Sequence, residues 1–338
     1  MYAGVAGAVE EELAGRAGIP FRPVDSGQVR GVGILRAAKG LLKAGRGTLQ
    51  SAALMRDFRP DVVFVTGGYV AGPVVWSAWR AGVPVFIYLP DLAPGVAIRR
   101  MSRFASRVGV SFAEAAVHFP GKAVVTGYPV RPEILALVGK KAEARAAMSL
   151  DLDMPVLLVF GGSRGARSIN QALAESLQAI LERCQVVHVS GTLDWPEVAA
   201  RVEGVPENLR DRYHPYPYLH DEMALALAAA DLVVARAGAS TLGEFPALGL
   251  PSILVPYPYS GQHQELNADF LVERGAAVKI ADTELNAKLG DAVTGLLQDR
   301  ATLQQMSDAA TALARPDAAA RIAQELRQLA ARPKESRS

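Results

Sequence analysis

Short continuous apolar runs alternate with amphipathic stretches along the chain, a pattern that predicts buried parallel strands separated by helices. The predicted strands are Val62–Val65, Val83–Tyr88, Ala115–Phe119, Ala123–Val125, Val156–Phe160, Val186–Val189, Leu232–Ala235, Ser252–Val255 and Ala276–Ile280. The clearest helical patterns are Val9–Ala17, Ala142–Met148, Ala172–Glu182 and Glu222–Ala230. This alternation favours a doubly wound α/β architecture.

The chain of 338 residues is long enough for two hydrophobic cores. Two prolines bracket an arginine in Gly127–Pro132, which marks a linker. A last helical pattern follows the stop-and-cap sequence Arg315–Asp317. The expected division is residues 1–131, residues 132–317 and a final helix at 318–331.

Two glycine-rich segments each follow an apolar run and precede a helical pattern. Gly161–Asn170 follows Val156–Phe160, and Arg236–Glu244 follows Leu232–Ala235. Glycines permit a tight turn, and the start of a helix directs free N–H groups toward an anion. Two such turns predict a site for a diphosphate that carries a group at each end.

The polar residues of these segments have two interpretations. Ser163 can donate to a phosphate oxygen, or it can cap a helix. Ser240 and Thr241 place hydroxyls where they could hold a diphosphate, and Glu244 could accept hydrogen bonds from a ribose diol. Alternatively, Ser240 or Thr241 forms a capping box with Glu244, which stabilises a helix and binds nothing.

Two further segments leave the same choice open. Gly67–Pro73 lies between a predicted strand and a helix, so its backbone either contacts a phosphate or sugar or forms a simple turn. Gly261–Asn267 comes after the strand Ser252–Val255. Its amide side chains either recognise sugar hydroxyls and an acetamido group or begin a solvated helix.

Charge is distributed unevenly. Between Arg30 and Arg131 there are 14 Lys or Arg against 4 Asp or Glu, although the whole chain has a net charge of only +2. A basic half indicates an anionic partner such as a membrane surface or a phosphorylated lipid. The basic amphipathic segment Gly31–Leu54 fits a membrane surface or an ordinary surface helix. No nucleic-acid motif accompanies it, so we expect no nucleic-acid partner.

Several classes of protein are excluded by composition and motif. Cys184 is the only cysteine, and the five histidines lack metal-ligand spacing, so we expect neither a metal site nor a cofactor. The chain has no G-x-S-x-G elbow and no P-loop, which argues against an α/β hydrolase and a P-loop kinase. No apolar stretch is long enough to span a bilayer. We therefore expect a cytosolic protein that is at most peripheral to a membrane.

In order and spacing, the motifs resemble those of the MurG family of UDP-N-acetylglucosamine-dependent glycosyltransferases. The likeness covers nearly the whole chain. The matching segments are Gly67–Pro73, Gly127–Arg131, Gly161–Ala166, His188–Gly191 and the long block from Arg236 to Asn267.

The resemblance implies a GT-B fold, in which two Rossmann-like, doubly wound domains have a cleft between them and the last helix packs back on the first domain. It also implies inverting transfer of N-acetylglucosamine to the muramoyl C4 hydroxyl of undecaprenyl-pyrophosphoryl-MurNAc-pentapeptide (lipid I), at the cytoplasmic face of the bacterial membrane. Helix-start N–H groups and hydroxyls would stabilise the departing UDP without a required metal.

Site residues follow from the same resemblance. Arg131 and Ser163 would contact the donor, and Leu219 would meet uracil through its backbone, with Met223 nearby. Glu244 would bind the ribose and Gln264 the sugar hydroxyls. The residues around the diphosphate would be Ala239, Ser240, Thr241, Leu242 and Gly243. The acceptor-side loop would contain Gly67, Gly68 and Tyr69, and the membrane patch Leu41, Leu42 and Trp79.

The chain departs from the family pattern in three places. Met1–Gly4 runs almost directly into a helical pattern, so we expect no strand there and no GGTGGH-type loop. That loop carries the candidate catalytic histidine of the family. The catalytic residue is therefore unassigned, and we hypothesise that the native chain begins upstream. Asp91 stands in place of an asparagine and is counted as donor-binding, while Arg164 and His263 stand in place of glutamines.

Three alternatives keep the same fold. They are a transferase for another lipid acceptor, a UDP-N-acetylglucosamine 2-epimerase, and a non-catalytic protein that binds a UDP-sugar. The basic segment Gly31–Leu54, with its membrane patch, argues against the epimerase, which would act without any lipid. The absence of the GGTGGH-type loop leaves the non-catalytic alternative open.

Overall fold

The computed structural model describes residues 1–26, 34–68, 70–162, 165–259 and 262–331, with the backbone alone for residues 34–42. The chain divides into two compact units. One is Met1–Thr126 with the segment from Ala320, and the other is Gly127–Ala319.

Up to Thr126, the described residues of the first unit form six short strands and five helices. The strands are β1 (Tyr2–Gly4), β2 (Phe21–Pro23), β3 (Val63–Val65), β4 (Val85–Leu89), β5 (Arg107–Val110) and β6 (Ala123–Val125). The helices are α1 (Val9–Arg16), α2 (Ile34–Phe58), α3 (Ala71–Arg80), α4 (Val96–Met101) and α5 (Ala113–Ala116). Strands β3 to β6 form one parallel sheet in chain order, and β1 pairs with β2 in a separate parallel ladder.

Two sequence predictions for this unit are wrong. Ala115–Phe119 contains a helical turn and no strand, because buried Ala115 and Phe119 lie four residues apart while Val117 is 75% exposed. The neighbour of β4 is instead β5, a segment that the apolar pattern missed. A strand also precedes the first helix, since Tyr2–Gly4 pairs with Phe21–Pro23.

The second unit has six strands, nine α-helices and two short 3-10 helices, Glu207–Arg212 and Asp282–Glu284, among its described residues. The strands are β7 (Val156–Phe160), β8 (Gln185–Val189), β9 (Tyr213–Tyr216), β10 (Leu232–Ala235), β11 (Ser252–Leu254) and β12 (Ala277–Lys279). The helices are α6 (Pro132–Leu135), α7 (Lys141–Ala147), α8 (Arg167–Leu181), α9 (Trp195–Val202), α10 (Glu222–Ala229), α11 (Thr241–Leu248), α12 (His263–Glu273), α13 (Leu285–Gln298) and α14 (Arg300–Leu313).

The second sheet is fully parallel, in the order β12-β11-β10-β7-β8-β9. The chain builds outward from β7 through β8 to β9, then returns to the other side of β7 and builds outward again from β10. This is the doubly wound dinucleotide-binding order, whose ligand crevice lies at the carboxyl ends where the direction of winding reverses. Both glycine-rich segments leave the sheet at this point, directly after β7 and β10.

The core of the second unit is made by sheet and helix side chains such as Leu157, Ile169 and Leu289. Cys184 lies in the same core, and burial raises the pKa of its thiol to about 12.

Packing around Gly127 explains why the boundary falls after Thr126 and before the expected residue 131. Gly127 has φ +87°, and a Cβ there would overlap Arg315 and Ala318 of the second unit. Tyr128 contacts Gly243 so closely that a Cβ on Gly243 would overlap its ring. The linker residues therefore belong to the second unit.

The last helix, α15 (Ala318–Ala330), packs on the first unit. Ile322 and Leu329 form a buried cluster with Phe86 and Tyr88 of β4. Arg107 of β5 forms an ion pair with Glu325 of this helix. Across the part of the chain that the structure describes, no helix combines the length and the apolar character that a membrane span requires.

Candidate functional site

The carboxyl edge of the second sheet brings together the turn after β7 and the end of β8. Gly162 and Gly165 have φ of +94° and +78°, and the Gly165 N–H donates to the Gly162 carbonyl at 2.9 Å. A Cβ on Gly165 would overlap the carbonyl oxygen of Ser190. The turn after β7 therefore rests directly on the backbone that follows β8.

The segment after β10 winds at once into α11. The Thr241 hydroxyl donates to the Gly238 carbonyl at 2.7 Å, and the Leu242 N–H donates to the Ala239 carbonyl at 3.2 Å. Ser240, at the N-cap, makes no side-chain capping bond. The side chains thus do not form the capping box that the sequence left open, and the half-buried Ser240 lies at the carboxyl edge.

Glu244 forms an ion pair with Arg131, whose Nε donates to Oε1 at 3.1 Å. The Arg131 side chain is 48% exposed and that of Glu244 only 11%. Burial raises the pKa of the Glu244 carboxyl, and the charge of Arg131 opposes this rise. The pair holds a carboxylate in place one turn into α11, next to the close contact between Gly243 and Tyr128.

Arg236, which directly follows β10, connects segments that follow neighbouring strands at this edge. Its guanidinium pairs with Asp282, beyond β12, and donates to Ser168 Oγ of α8 at 2.9 Å. It also donates to the Val255 carbonyl after β11 at 3.3 Å. Neither this role of Arg236 nor the participation of Asp282 was predicted from the sequence. The available signal was a charged residue directly after an apolar strand.

The remaining donor-side predictions fall in two segments of the same edge, one that leads from β9 into α10 and one that leads from β11 into α12. Leu219 is buried after β9, and Met223 is half-buried in α10. After β11, Gln264 Oε1 accepts the Tyr257 N–H at 2.9 Å, and Asn267 Nδ2 donates to the Ala237 carbonyl at 3.1 Å. His263 Nδ1 is buried without a hydrogen-bond partner among the described residues.

A buried hydrogen-bonded chain lies beneath the turn after β7. His188 Nδ1 lies 2.8 Å from the Tyr213 hydroxyl, and His188 Nε2 lies 3.0 Å from Asn170 Oδ1. Asn170 Nδ2 donates to the Ser190 carbonyl and to Asp194 Oδ2, each at 2.9 Å. Burial lowers the pKa of His188 to about 4, so the imidazole is neutral near pH 7.

Other predicted site residues belong to the first unit. Gly67 and Gly68 follow β3 with φ of +129° and +83°, and half-buried Asp91 follows β4. Trp79 packs with Trp76 and Phe104, with ring centroids 5.0 to 5.4 Å apart. Predictions for Ser163 and Tyr69, and for the side chains of Leu41 and Leu42, lie outside the described residues.

Metal binding was not expected from the sequence. Across the described ranges, no group of three or more His, Cys, Asp or Glu side chains is placed to hold a metal ion.

The two units have the domain composition of one enzyme class. Residues 2–110 match the glycosyltransferase family 28 N-terminal domain, and residues 156–322 match the glycosyltransferase family 28 C-terminal domain. The chain is therefore a glycosyltransferase.

A curated relative narrows this class. The UDP-N-acetylglucosamine--N-acetylmuramyl-(pentapeptide) pyrophosphoryl-undecaprenol N-acetylglucosamine transferase of Desulforudis audaxviator (strain MP104C) is 45% identical over 327 residues, which cover 94% of this chain and 87% of that protein. The chain belongs to the family of these transferases, the MurG family.

Solved structures confirm the two-domain GT-B fold. The crystal structure of Acinetobacter baumannii MurG has a TM-score of 0.75 at 27% identity and covers 96% of this chain, which in turn covers 90% of that structure. UDP-GlcNAc 2-epimerase from Neisseria meningitidis, bound to UDP-GlcNAc, has a TM-score of 0.68 at 13% identity, with coverage of 96% and 91%. At this low identity, the epimerase shares the fold alone.

The lowered pKa of His188 predicts a pH dependence of stability. The ordinary pKa of 6.5 applies to the unfolded chain and about 4 to the folded one, so the unfolded state binds more protons between these values. Stability is therefore complete above pH 6.5 and is lost as pH falls toward 4. Between pH 7 and pH 5 we expect a loss of about 2 kcal/mol from this residue.

Urea unfolding of the wild type and of His188→Gln at both pH values measures this loss. The variant lacks the ionisable ring, so its free energy of unfolding should fall less by that amount. An equal fall in both proteins would contradict the assignment.

Proposed function

We propose that this chain transfers N-acetylglucosamine from UDP-N-acetylglucosamine to the muramoyl C4 hydroxyl of undecaprenyl-pyrophosphoryl-MurNAc-pentapeptide, a step of peptidoglycan synthesis. The observation that carries the proposal is the position of the two glycine-rich turns, which leave β7 and β10 where the sheet reverses its winding. The name of the 45% identical relative supports this pair of substrates.

The donor site is assigned to the carboxyl edge of the second sheet. The turn after β7, with Ser163, and the start of α11, from Ala239 to Gly243, hold the diphosphate. Leu219 and Met223 flank the uracil, and Gln264 faces the sugar. Glu244 has one oxygen on Arg131, and its carboxylate retains lone pairs for the ribose diol.

The chemistry is a single displacement with inversion. The acceptor hydroxyl oxygen forms a bond to the anomeric carbon while the bond from that carbon to the UDP oxygen breaks, and a base takes the hydroxyl proton. Helix-start N–H groups and the hydroxyl of Ser240 stabilise the negative charge that develops on the diphosphate, while the Thr241 hydroxyl holds the turn through the Gly238 carbonyl. The base is unassigned. In the first unit, Gly67, Gly68, Tyr69 and Asp91 are assigned to substrate contacts.

The first unit is assigned to the cytoplasmic face of the membrane. Trp76, which is 43% exposed, packs against Trp79 and meets Phe104 edge to face. Four exposed arginines lie near these aromatic residues in the sequence: Arg80, Arg99, Arg100 and Arg103. Indole rings suit the interface of a bilayer, and arginines attract anionic lipid headgroups.

A transfer assay tests the function. The chain is incubated with radiolabelled UDP-N-acetylglucosamine and a lipid I analogue, and the product linkage is determined by NMR. We expect a β-linked disaccharide, inverted at the anomeric carbon. Conversion of the donor to its C2 epimer without transfer would favour the epimerase, and donor binding without either reaction would favour a non-catalytic protein.

Loss of the Glu244 carboxylate should remove recognition of the ribose diol. We expect the wild type to bind UDP about tenfold more tightly than 2′-deoxy-UDP, since a hydrogen bond to a charged group contributes about 1.5 kcal/mol or more. Glu244→Ala should bind both nucleotides equally in isothermal titration calorimetry. Glu273→Gln, an exposed carboxylate in α12, serves as the control and should keep the preference. A preference that persists in Glu244→Ala would place the diol elsewhere.

Removal of the indoles should release the chain from membranes. We expect Trp76→Ser/Trp79→Ser to bind phosphatidylglycerol vesicles at least about tenfold more weakly in a flotation assay, because two interfacial aromatic rings are lost. Trp195→Ser, the remaining tryptophan of the chain and part of the second unit, should bind as the wild type does. Equal binding by the double variant would disprove this surface.

A further inference from the structure

The buried chain from Tyr213 to Ser190 has one consistent arrangement of protons. Asn170 Nδ2 donates to two oxygens, so its Oδ1 faces His188 and accepts a hydrogen bond. An amide oxygen cannot donate, so His188 Nε2 carries the ring proton. His188 Nδ1 is then an acceptor, and the Tyr213 hydroxyl is its donor. The imidazole is fixed as one neutral tautomer between β9 and α8.

This hydrogen-bonded chain ends on a backbone atom, the Ser190 carbonyl oxygen, that lies directly against the turn after β7. The Ser190 carbonyl accepts from Asn170, and Gly165 lies so close to the same oxygen that a side chain would not fit. Ser190 N–H also donates to the Tyr216 carbonyl at 3.0 Å, at the end of β9. A shift of the Ser190 backbone would therefore move the turn after β7 and the loop that begins after β9.

We propose that His188 is a positioning residue for the nucleotide, acting through Asn170 and the Ser190 backbone on the two segments that hold the diphosphate and the uracil. The inference rests on the donor site proposed above. His188 itself contacts neither group. Its ring lies in β8, below the carboxyl edge, with 1% of its surface exposed.

The polar character of the hydrogen-bonded chain distinguishes a positioning role for His188 from simple packing. Its members Asn170, His188 and Ser190 are among the few polar residues in an otherwise apolar core. Apolar side chains of the same size can replace a buried hydrogen-bonded pair at little cost in stability, whereas they fix no direction. Hydrogen bonds define the orientation of the Asn170 amide, and that amide in turn holds the Ser190 carbonyl.

Two substitutions at His188 test the inference by separating shape from hydrogen bonding. His188→Phe keeps an aromatic ring but removes the N–H that Asn170 accepts. His188→Gln retains a donor at the corresponding distance. We expect His188→Phe to raise the Kd for UDP and the KM for UDP-N-acetylglucosamine about tenfold, with kcat changed less than about twofold, and His188→Gln to restore most of the affinity.

Leu289→Ala is the matched control for lost stability. Leu289 is fully buried in the same core, in α13, and has an apolar side chain that takes no part in the hydrogen-bonded chain. This variant should unfold at a lower urea concentration and still bind UDP with the wild-type Kd at 15 °C. If His188→Phe fails to fold, Asn170→Ala removes the hydrogen bond from α8 to the Ser190 carbonyl and should raise the same Kd.

The outcomes distinguish the positioning role of His188 from the proposed donor site. Unchanged UDP affinity in folded His188→Phe, or in folded Asn170→Ala, would overturn the positioning role and leave the donor site intact. Equal weakening by His188→Phe and His188→Gln would overturn the role of the N–H. A wild-type chain that binds neither UDP nor UDP-N-acetylglucosamine would overturn the proposed donor, and the inference with it.

Discussion

The parallel pairing of β7 with β10 is the constraint on which the second unit depends. Leu232 to Ala235 lie in register with Leu157 to Phe160, although about 75 residues separate the two strands in the chain. Crossovers on one side of β7 and on the other side of β10 send their helices to opposite faces of the sheet. The loops at the carboxyl ends therefore diverge at this pair, and the glycine-rich turns have room for a ligand between them.

An open edge of this kind needs other groups to keep its loops in place. Arg236 holds them through its charged guanidinium, which contacts residues that follow β11 and β12 and also the start of α8. The neutral chain of Tyr213, His188 and Asn170 does so on the other side of β7. Both devices bury polar groups, which is favourable only when their hydrogen-bonding capacity is satisfied. The loops are thus held by side chains that are themselves buried or half-buried.

The sequence was informative wherever a single local cause determined the structure. The strand at Val156–Phe160 and the turn that follows it were predicted, because a continuous apolar run and paired glycines each act within a few residues. Strand β9 was missed because His214 and Pro215 interrupt its apolar pattern, and it is defined instead by its pairing with β8. The partners of Arg236 and His188 were also missed. They come together only after the sheet has formed, and no spacing in the chain encodes that contact.

The state of Cys184 has a practical consequence. At pH 7 a thiol with a pKa of about 12 is ionised in only about one molecule in 100,000. The thiolate is the reactive species, so maleimides and peroxide should leave Cys184 of the folded wild-type chain unmodified. Any surface cysteine introduced by mutagenesis would then be the sole site of covalent labelling, and a fluorophore or spin label could be placed on either unit without first removing the native residue.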